Sequence, residues 1–160
     1  MIIGHIGARK GSKGVPGKNF RDICGKPLID WSLDQLFESK RVDAVVVSTD
    51  SEEIYAHAVA KGALEIGLRP AHLATDTAGK WNVWQHALEE AEKHVGPTSA
   101  FLDLDCTSPL RIEEDIDQAL SILMATEAGE ISKVGRYPRR SIHGLSLDKL
   151  SSFADLLNGA

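Results

Sequence analysis

The chain has 160 residues, of which 42% are hydrophobic and 26% charged, and its net charge at pH 7 is -5. This length suits one domain and this composition is that of a globular protein, which excludes disordered and fibrous classes. The negative charge argues against a nucleic-acid partner, because binding a phosphate backbone needs a basic surface. No apolar run approaches the roughly 20 residues of a membrane span, so no membrane partner is expected.

The few cysteines and histidines do not suggest a metal or disulfide framework. Cys24 and Cys106 lie far apart and have no metal-ligand spacing, and the six histidines form none either. Residues 1–6 are apolar but too short, and wrongly flanked, for a signal peptide. We therefore expect reduced thiols and a cytoplasmic protein.

Short apolar runs alternate with amphipathic stretches along most of the chain. The runs at residues 2–7, 42–49 and 100–104 are typical of strands that are buried on both faces. A final amphipathic stretch predicts a helix over residues 113–127, closed by Gly129. Three helical faces are predicted to be buried: Ile29, Leu33, Leu36 and Phe37; Trp81, Trp84, Leu88, Ala91 and Val95; Ile116, Ala119, Leu120, Leu123 and Met124.

This alternation predicts an α/β fold with an open, mostly parallel sheet and helices on both faces, Rossmann-like in its general plan. Residues 1–135 are expected to form one α/β domain. Residues 136–160 are expected to be an atypical tail and no separate domain, with a short helix-like stretch at 145–157. Ligands of such sheets bind beyond the carboxyl ends of the strands.

A basic glycine-rich loop follows the first predicted strand directly. Residues 8–19 hold four cations, three glycines and a serine. Glycines let backbone N–H groups approach phosphate oxygens, and Arg and Lys add charge-assisted hydrogen bonds, so the loop predicts a phosphate site. The alternative is a solvated loop with scattered lysines, which its position after a core strand disfavours.

The spacing of the loop excludes two common phosphate motifs. A P-loop has four residues between its glycines and then Lys-Ser/Thr, whereas five residues separate Gly11 from Gly17 and Asn19 follows Lys18. The dinucleotide fingerprint G-x-G-x-x-G also fails, because Gly11, Gly14 and Gly17 are each three residues apart.

The order of residues in the loop resembles a known signature. A-R-x-G-S-K-G-x-P-x-K-N, followed by G-K-P-L-I at residues 25–29, is similar to the nucleotide-binding motif of the acylneuraminate cytidylyltransferases, the CMP-sialic acid synthetase family. Residues 48–50, 69–77 and 107–111 also resemble family blocks, in the family's order. The resemblance runs from about residue 2 to about residue 135.

The resemblance implies a nucleotide-diphospho-sugar transferase type of fold and a specific reaction. CMP would pass from CTP to a nonulosonic acid, either sialic acid or a legionaminic-type sugar, with release of pyrophosphate and a need for Mg²⁺; a homodimer is the assembly it suggests. Lys18 and Arg9 would be catalytic, and residues 1–135 would be the nucleotide-binding domain. The nucleotide-binding residues implied are Ala8, Arg9, Gly11, Ser12, Lys18, Asn19, Arg69, Thr77 and Lys80.

Two carboxylates are the candidate metal ligands. Asp103 and Asp105 are two residues apart in a predicted strand and therefore share a face, where a hard cation would suit them. Asp105 could instead cap the following turn.

Other candidate site residues also have structural alternatives. Arg69 could be an ordinary loop arginine before Pro70. Residues 75–77 could cap a helix. Trp81 and Trp84, at helical spacing, are predicted to lie in the core and not to stack on a base.

Two other functions stay open at this point. One is a different sugar nucleotidyltransferase. The other is a catalytically weak or inactive nucleotide-binding remnant, because after Gly135 the residues resemble no family block, whereas the family continues with sugar-contacting residues, dimer contacts and a late pair of metal-binding aspartates.

Overall fold

The structure is a computed structural model that describes residues 1–11 and 14–125, together with the backbone of 130–132 and 142–146. Two 3₁₀ turns, Lys18–Phe20 and Ala71–Leu73, accompany the regular elements. None of the described helices combines the length and apolarity that crossing a membrane requires. In chain order the elements are β1 (Ile2–Gly7), β2 (Asp22–Ile23), β3 (Lys26–Pro27), α1 (Leu28–Glu38), β4 (Ala44–Ser48), α2 (Glu52–Ala60), α3 (Lys80–Val95), β5 (Ala100–Leu104), α4 (Glu113–Ala125), β6 (Glu130–Ser132) and β7 (Ile142–Ser146).

The main sheet has the strand order β4-β1-β5-β7-β6. β1 pairs in parallel with both β4 and β5, which confirms the predicted parallel sheet. β7 runs antiparallel to β5, and β6 antiparallel to β7, so the sheet is extended by two strands that the sequence did not predict. Leu145 and Ser146, expected in a helix-like stretch, lie in β7; the rest of that stretch is outside the described residues.

Helices cover both faces of the sheet, as predicted. Alternate residues of β1, β4 and β5 pack with apolar residues of α1, α2 and α4 on one face. The intervening residues Ile3, Val46 and Phe101 pack against α3 on the other face. Since His5 and Asp103 lie two residues from Ile3 and Phe101, both point to the α3 side.

Two residues predicted to be buried are exposed. Phe37 is 39% exposed and Met124 is 59% exposed. Both lie one residue before the last residue of their helix, α1 or α4, where the buried stripe has turned away from the sheet. The other residues of these two predicted faces are buried in the core.

The β2–β3 hairpin has a two-residue turn that glycine or asparagine would fit best. Cys24 and Gly25 have φ values of 55° and 91°, and Cys24 is the single non-glycine with positive φ in the described part of the chain. We expect Cys24→Asn to raise the free energy of unfolding by about 0.5 to 1 kcal/mol, because Asn tolerates this conformation better. Urea unfolding followed by tryptophan fluorescence measures the change. Cys24→Val, which is β-branched, should lower stability; equal effects of both variants would contradict the interpretation.

Candidate functional site

A cleft of about 660 Å³ opens where β1 and β5 end, between the glycine-rich loop and the start of α3. Such an edge is where open parallel sheets bind ligands. Four cations and two carboxylates line it, in a chain whose net charge is -5. The cleft is therefore a local basic site suited to an anion. The charged lining residues are Arg9, Lys18, Arg69, Lys80, Asp76 and Asp105.

The glycine-rich loop presents Lys18 to the cleft through a tight turn. Gly17 has a φ of 63°, which only glycine adopts without strain, and the 3₁₀ turn Lys18–Phe20 follows it. Asn19 is 5% exposed and donates a hydrogen bond from Nδ2 to the Arg9 carbonyl at 3.4 Å, which joins the two ends of the loop. Lys18 has no ion-pair partner among the described residues and is available to an anionic ligand.

Arg9 crosses the cleft to the segment before α3. Its guanidinium forms an ion pair with Asp76, and both side chains remain about one third or more exposed. An ion pair so exposed contributes little to stability. Arg9 can therefore exchange Asp76 for a phosphate at small cost.

Arg69 is fixed at the carboxyl end of β4. Its Nε donates to Ser48 Oγ at 2.9 Å and its Nη2 to the Ser48 carbonyl at 2.5 Å. The backbone N–H of Arg69 also donates to the Thr49 carbonyl at 2.7 Å. Burial lowers the pKa of Arg69, although nearby Asp50 opposes this shift. A guanidinium held this firmly needs no reordering when it meets a ligand.

Lys80 joins the two carboxylates at the end of β5. Its Nζ lies 2.8 Å from Asp103 Oδ2 and 3.2 Å from Asp105 Oδ1. Burial opposes its charge, but Asp103 and Asp105 outweigh burial and raise the Lys80 pKa. On its other side, Asp103 lies 2.6 Å from Nδ1 of the buried His5. The two carboxylates thus hold an ammonium group in the position proposed for a metal ion.

The Asp103 carboxylate contributes to stability in a pH-dependent way. Burial alone would raise its pKa, but the hydrogen bonds with His5 and Lys80 dominate and lower it from 3.8 to about 2. The folded state therefore gains stability above pH 4 and loses it as the pH falls towards 2. We expect the difference in free energy of unfolding between wild type and Asp103→Asn to be about 2 kcal/mol larger, in favour of wild type, at pH 5 than at pH 2. Urea unfolding across this pH range measures that difference. A difference that stays constant with pH would contradict this assignment.

The structure brings most of the predicted site residues together. Arg9, Lys18, Asn19, Arg69, Lys80 and Asp105 all line the cleft. Ala8, Gly11, Thr77 and Asp103 do not. Ala8 is 1% exposed and its N–H donates to the Ser48 carbonyl at 3.0 Å, so that N–H is not available to a ligand. Ser12 is outside the described residues.

The metal prediction finds limited support in the described part of the chain. Those residues include no group of three or more His, Cys, Asp and Glu side chains placed to hold a metal ion. Asp103 is buried and held by His5 and Lys80, so it does not fit a metal site. Asp105 is 39% exposed in its side chain and lines the cleft, and it stays the candidate ligand.

Several lining residues were not predicted to take part in the site. His5, Thr75, Asp76 and Trp84 all line the cleft. The sequence suggested residues 75–77 as a helix cap, but α3 begins after Gly79 and has no side-chain cap. Trp84 is buried against the sheet, as predicted, and also borders the cleft. His5 interrupts an apolar strand, and this was the one signal that could have identified it.

Arg111 is a buried residue that supports the β5 side of the cleft through hydrogen bonds to the segment after β5 and to α1. It is 4% exposed, and burial lowers its pKa to about 10. Its guanidinium donates to the Asp105 carbonyl at 3.1 Å, to Ser32 Oγ at 2.6 Å and to Gln35 Oε1 at 3.1 Å. It therefore ties the segment that carries Asp105 to α1.

The parallel sheet and its cleft define an α/β protein with a basic ligand site at the carboxyl edge of the sheet. Comparison with known proteins identifies the family. The family described as cytidylyltransferase matches residues 3–138, and the chain belongs to it.

Curated relatives agree with this assignment. The chain is 42% identical to post-translational flagellin modification protein B of Campylobacter coli, over 74% of this chain and 51% of that protein. It is 37% identical over 82% of the chain to the CMP-N,N'-diacetyllegionaminic acid synthase of Legionella pneumophila, covering 56% of it. It is 36% identical over 79% of the chain to the N-acylneuraminate cytidylyltransferase of Escherichia coli, covering 29% of it. The chain thus spans about half the length, or less, of these relatives.

Solved structures confirm the fold. A CMP:2-keto-3-deoxy-manno-octonic acid synthetase in complex with CTP superposes with a TM-score of 0.68 at 19% identity, over 97% of this chain and 78% of that one. A cytidylyltransferase from Leptospira borgpetersenii gives a TM-score of 0.70 at 18% identity, over 96% of this chain and 63% of that one. At these identities the likeness shows that the chain shares the fold of these two proteins.

Proposed function

We propose that this chain is a CTP-dependent cytidylyltransferase that transfers CMP to a nonulosonic acid and releases pyrophosphate. The observation that carries the proposal is the set of four cations around one cleft, two of them from the loop directly after β1, in a chain of the cytidylyltransferase family. The names of relatives that match in sequence favour a sialic, legionaminic or similar acid as acceptor.

The cleft supplies what such a reaction requires of a protein. The acceptor hydroxyl attacks the α-phosphorus while the bond to pyrophosphate breaks, and negative charge develops on the leaving oxygens. Lys18 and Arg9 are the groups that would stabilise this charge, with Arg69 and Asn19 aligning the nucleotide. Arg69 and Asn19 are held by hydrogen bonds to Ser48 and to the Arg9 carbonyl, so these two side chains need little rearrangement as the charge develops.

We further propose that the reaction needs a divalent cation, in particular Mg²⁺. Mg²⁺ usually binds through one or two carboxylates together with substrate phosphates, and Asp105 is the described carboxylate that fits this pattern. When bound, the ion would neutralise phosphate charge. Asp103 is left out of this proposal because His5 and Lys80 already hold it.

The test is a pyrophosphate-release assay with CTP and Mg²⁺ and a panel of acceptors. The panel contains sialic acid, legionaminic acid, pseudaminic acid and the shorter 2-keto-3-deoxy-octonic acid, which tests the alternative of another sugar nucleotidyltransferase. UTP and ATP replace CTP in parallel reactions, and chelator replaces Mg²⁺. Direct binding of CTP is measured separately by calorimetry.

The outcomes separate the hypotheses. Pyrophosphate release with CTP and a nine-carbon acid supports the proposal, and release only with the eight-carbon acid supports the alternative. CTP binding without release with any acceptor rules out the transferase and leaves a nucleotide-binding protein. Release only with UTP or ATP supports another sugar nucleotidyltransferase. Absence of CTP binding together with absence of release from all three nucleotides would contradict all of these functions.

A further inference from the structure

His5 is a buried polar residue in a strand that is otherwise apolar. It is 1% exposed, lines the cleft, and packs its ring on Phe101 with 5.1 Å between the ring centroids. Its Nδ1 lies 2.6 Å from Asp103 Oδ1, but within the described part of the chain its Nε2 has no hydrogen-bond partner. An unpartnered buried nitrogen is costly, which suggests that a ligand completes it.

Gly7 lies between the His5 ring and the Arg69 guanidinium at the floor of the cleft. A Cβ at Gly7 would lie 3.5 Å from His5 Cε1 and 3.5 Å from Arg69 Nη2. The imidazole and the guanidinium therefore border the same small space at the floor of the cleft.

Asp103 determines which hydrogen-bonding role each ring nitrogen plays. A carboxylate only accepts hydrogen bonds, so Nδ1 of His5 must carry a proton and donate it to Asp103. In the neutral ring, Nε2 is then an acceptor. Arg69 has five N–H donors and uses two of them on Ser48. The floor of the cleft thus offers an acceptor beside donors.

This pattern is complementary to one edge of cytosine. Cytosine presents an amino donor at N4 beside the acceptors N3 and O2, whereas uracil presents the O4 acceptor where cytosine has its amino group. We propose that His5 is a specificity-determining residue whose Nε2 accepts a hydrogen bond from the cytosine amino group, while Arg69 donates to the acceptors of the same edge. Uracil would place O4 against the His5 lone pair and be rejected. This inference rests on the proposed function, since it assigns the base of the same nucleotide.

The experiment deletes each partner of the proposed hydrogen bond separately. Calorimetry compares the binding of CTP, UTP, 2′-deoxy-CTP and the triphosphate of pyrimidin-2-one riboside, which lacks the amino group, to wild type and to His5→Leu. His86→Leu is the matched control, because His86 is on α3 but does not line the cleft. Circular dichroism checks that both variants fold.

We expect removal of the amino group to weaken binding to wild type about 10-fold and to leave binding to His5→Leu almost unchanged. His5→Leu should also lose preference for CTP over UTP by a similar factor, whereas His86→Leu should keep it. The inference would be overturned if removal of the amino group weakened binding equally in wild type and in His5→Leu. It would also be overturned if binding to wild type weakened on loss of the ribose 2′-hydroxyl, in 2′-deoxy-CTP, but not on loss of the amino group.

If His5→Leu does not fold, wild type alone still tests the inference. Equal binding of CTP and of the triphosphate that lacks the amino group would exclude the proposed hydrogen bond. Wild type that fails to bind CTP would instead refute the proposed function itself.

Discussion

Lys18→Ala is expected to weaken CTP binding by about 10- to 100-fold, which is the effect of removing one charge-assisted hydrogen bond in a partly dry site. The Lys18 side chain is half-buried, lines the cleft and has no competing ion pair among the described residues. Its interaction with a phosphate therefore replaces only water. Calorimetric titration with CTP at a fixed, stated salt concentration measures the loss.

Lys10→Ala is the matched control for this experiment. Lys10 is in the same loop but is exposed and does not line the cleft, and its backbone N–H donates to Asp50. We expect Lys10→Ala to change affinity by less than about 3-fold, through long-range screening alone. If both lysines mattered equally, the loop would act by net charge and the turn at Gly17 would have no role in positioning Lys18.

Arg111→Met is expected to lower the free energy of unfolding by about 2 to 4 kcal/mol, which makes it the largest stability effect anticipated for a single side chain near the cleft. The substitution leaves the buried Ser32 hydroxyl and the partly buried Gln35 side chain and Asp105 carbonyl without their donor. Urea unfolding at pH 7, followed by circular dichroism, measures the loss.

Arg41→Met provides the comparison, because Arg41 also donates to a backbone carbonyl and a serine, those of Asp117 and Ser121, but near the surface. Water can replace its contacts, so we expect less than about 1 kcal/mol. Similar losses in the two variants would show that burial of Arg111 is not the cause of its effect.

The central part of the fold could be predicted from sequence because its signals are local. β1 and β5 have the predicted bounds, and α3 and α4 follow clear apolar stripes. α2 was not predicted, since Ile54 and Ala58 are its only buried residues and give almost no stripe. Its signal was Ser51, whose hydroxyl accepts from the Ile54 N–H before two glutamates.

The antiparallel strands β6 and β7 could not be predicted for a different reason. β7 pairs with β5 over a separation of about 40 residues, and such pairing depends on the sheet edge that β5 presents and not on a periodicity within residues 142–146. The pattern within residues 142–146 describes only that segment and carries no information about the edge of β5.

The candidate site likewise has residues that the sequence could predict and contacts that it could not. Arg9, Lys18 and Asn19 were identified because one loop carries them, and Arg69 and Lys80 because they fall in blocks with a family resemblance. The role of Lys80 as a partner of both Asp103 and Asp105 depends on how α3 packs against β5, which no spacing encodes.

In the cleft, Arg9 is already paired with a carboxylate of the same chain, that of Asp76. Asp76 acts as an internal competitor that an incoming phosphate must displace. The measured affinity then reports the difference between two pairings of the same guanidinium, and not the full strength of either. A tethered carboxylate is present at constant effective concentration, but the exposed pair is weak, so Asp76 lowers the affinity of Arg9 for an incoming anion only slightly. A polyphosphate, with more charge than a single carboxylate, displaces it readily.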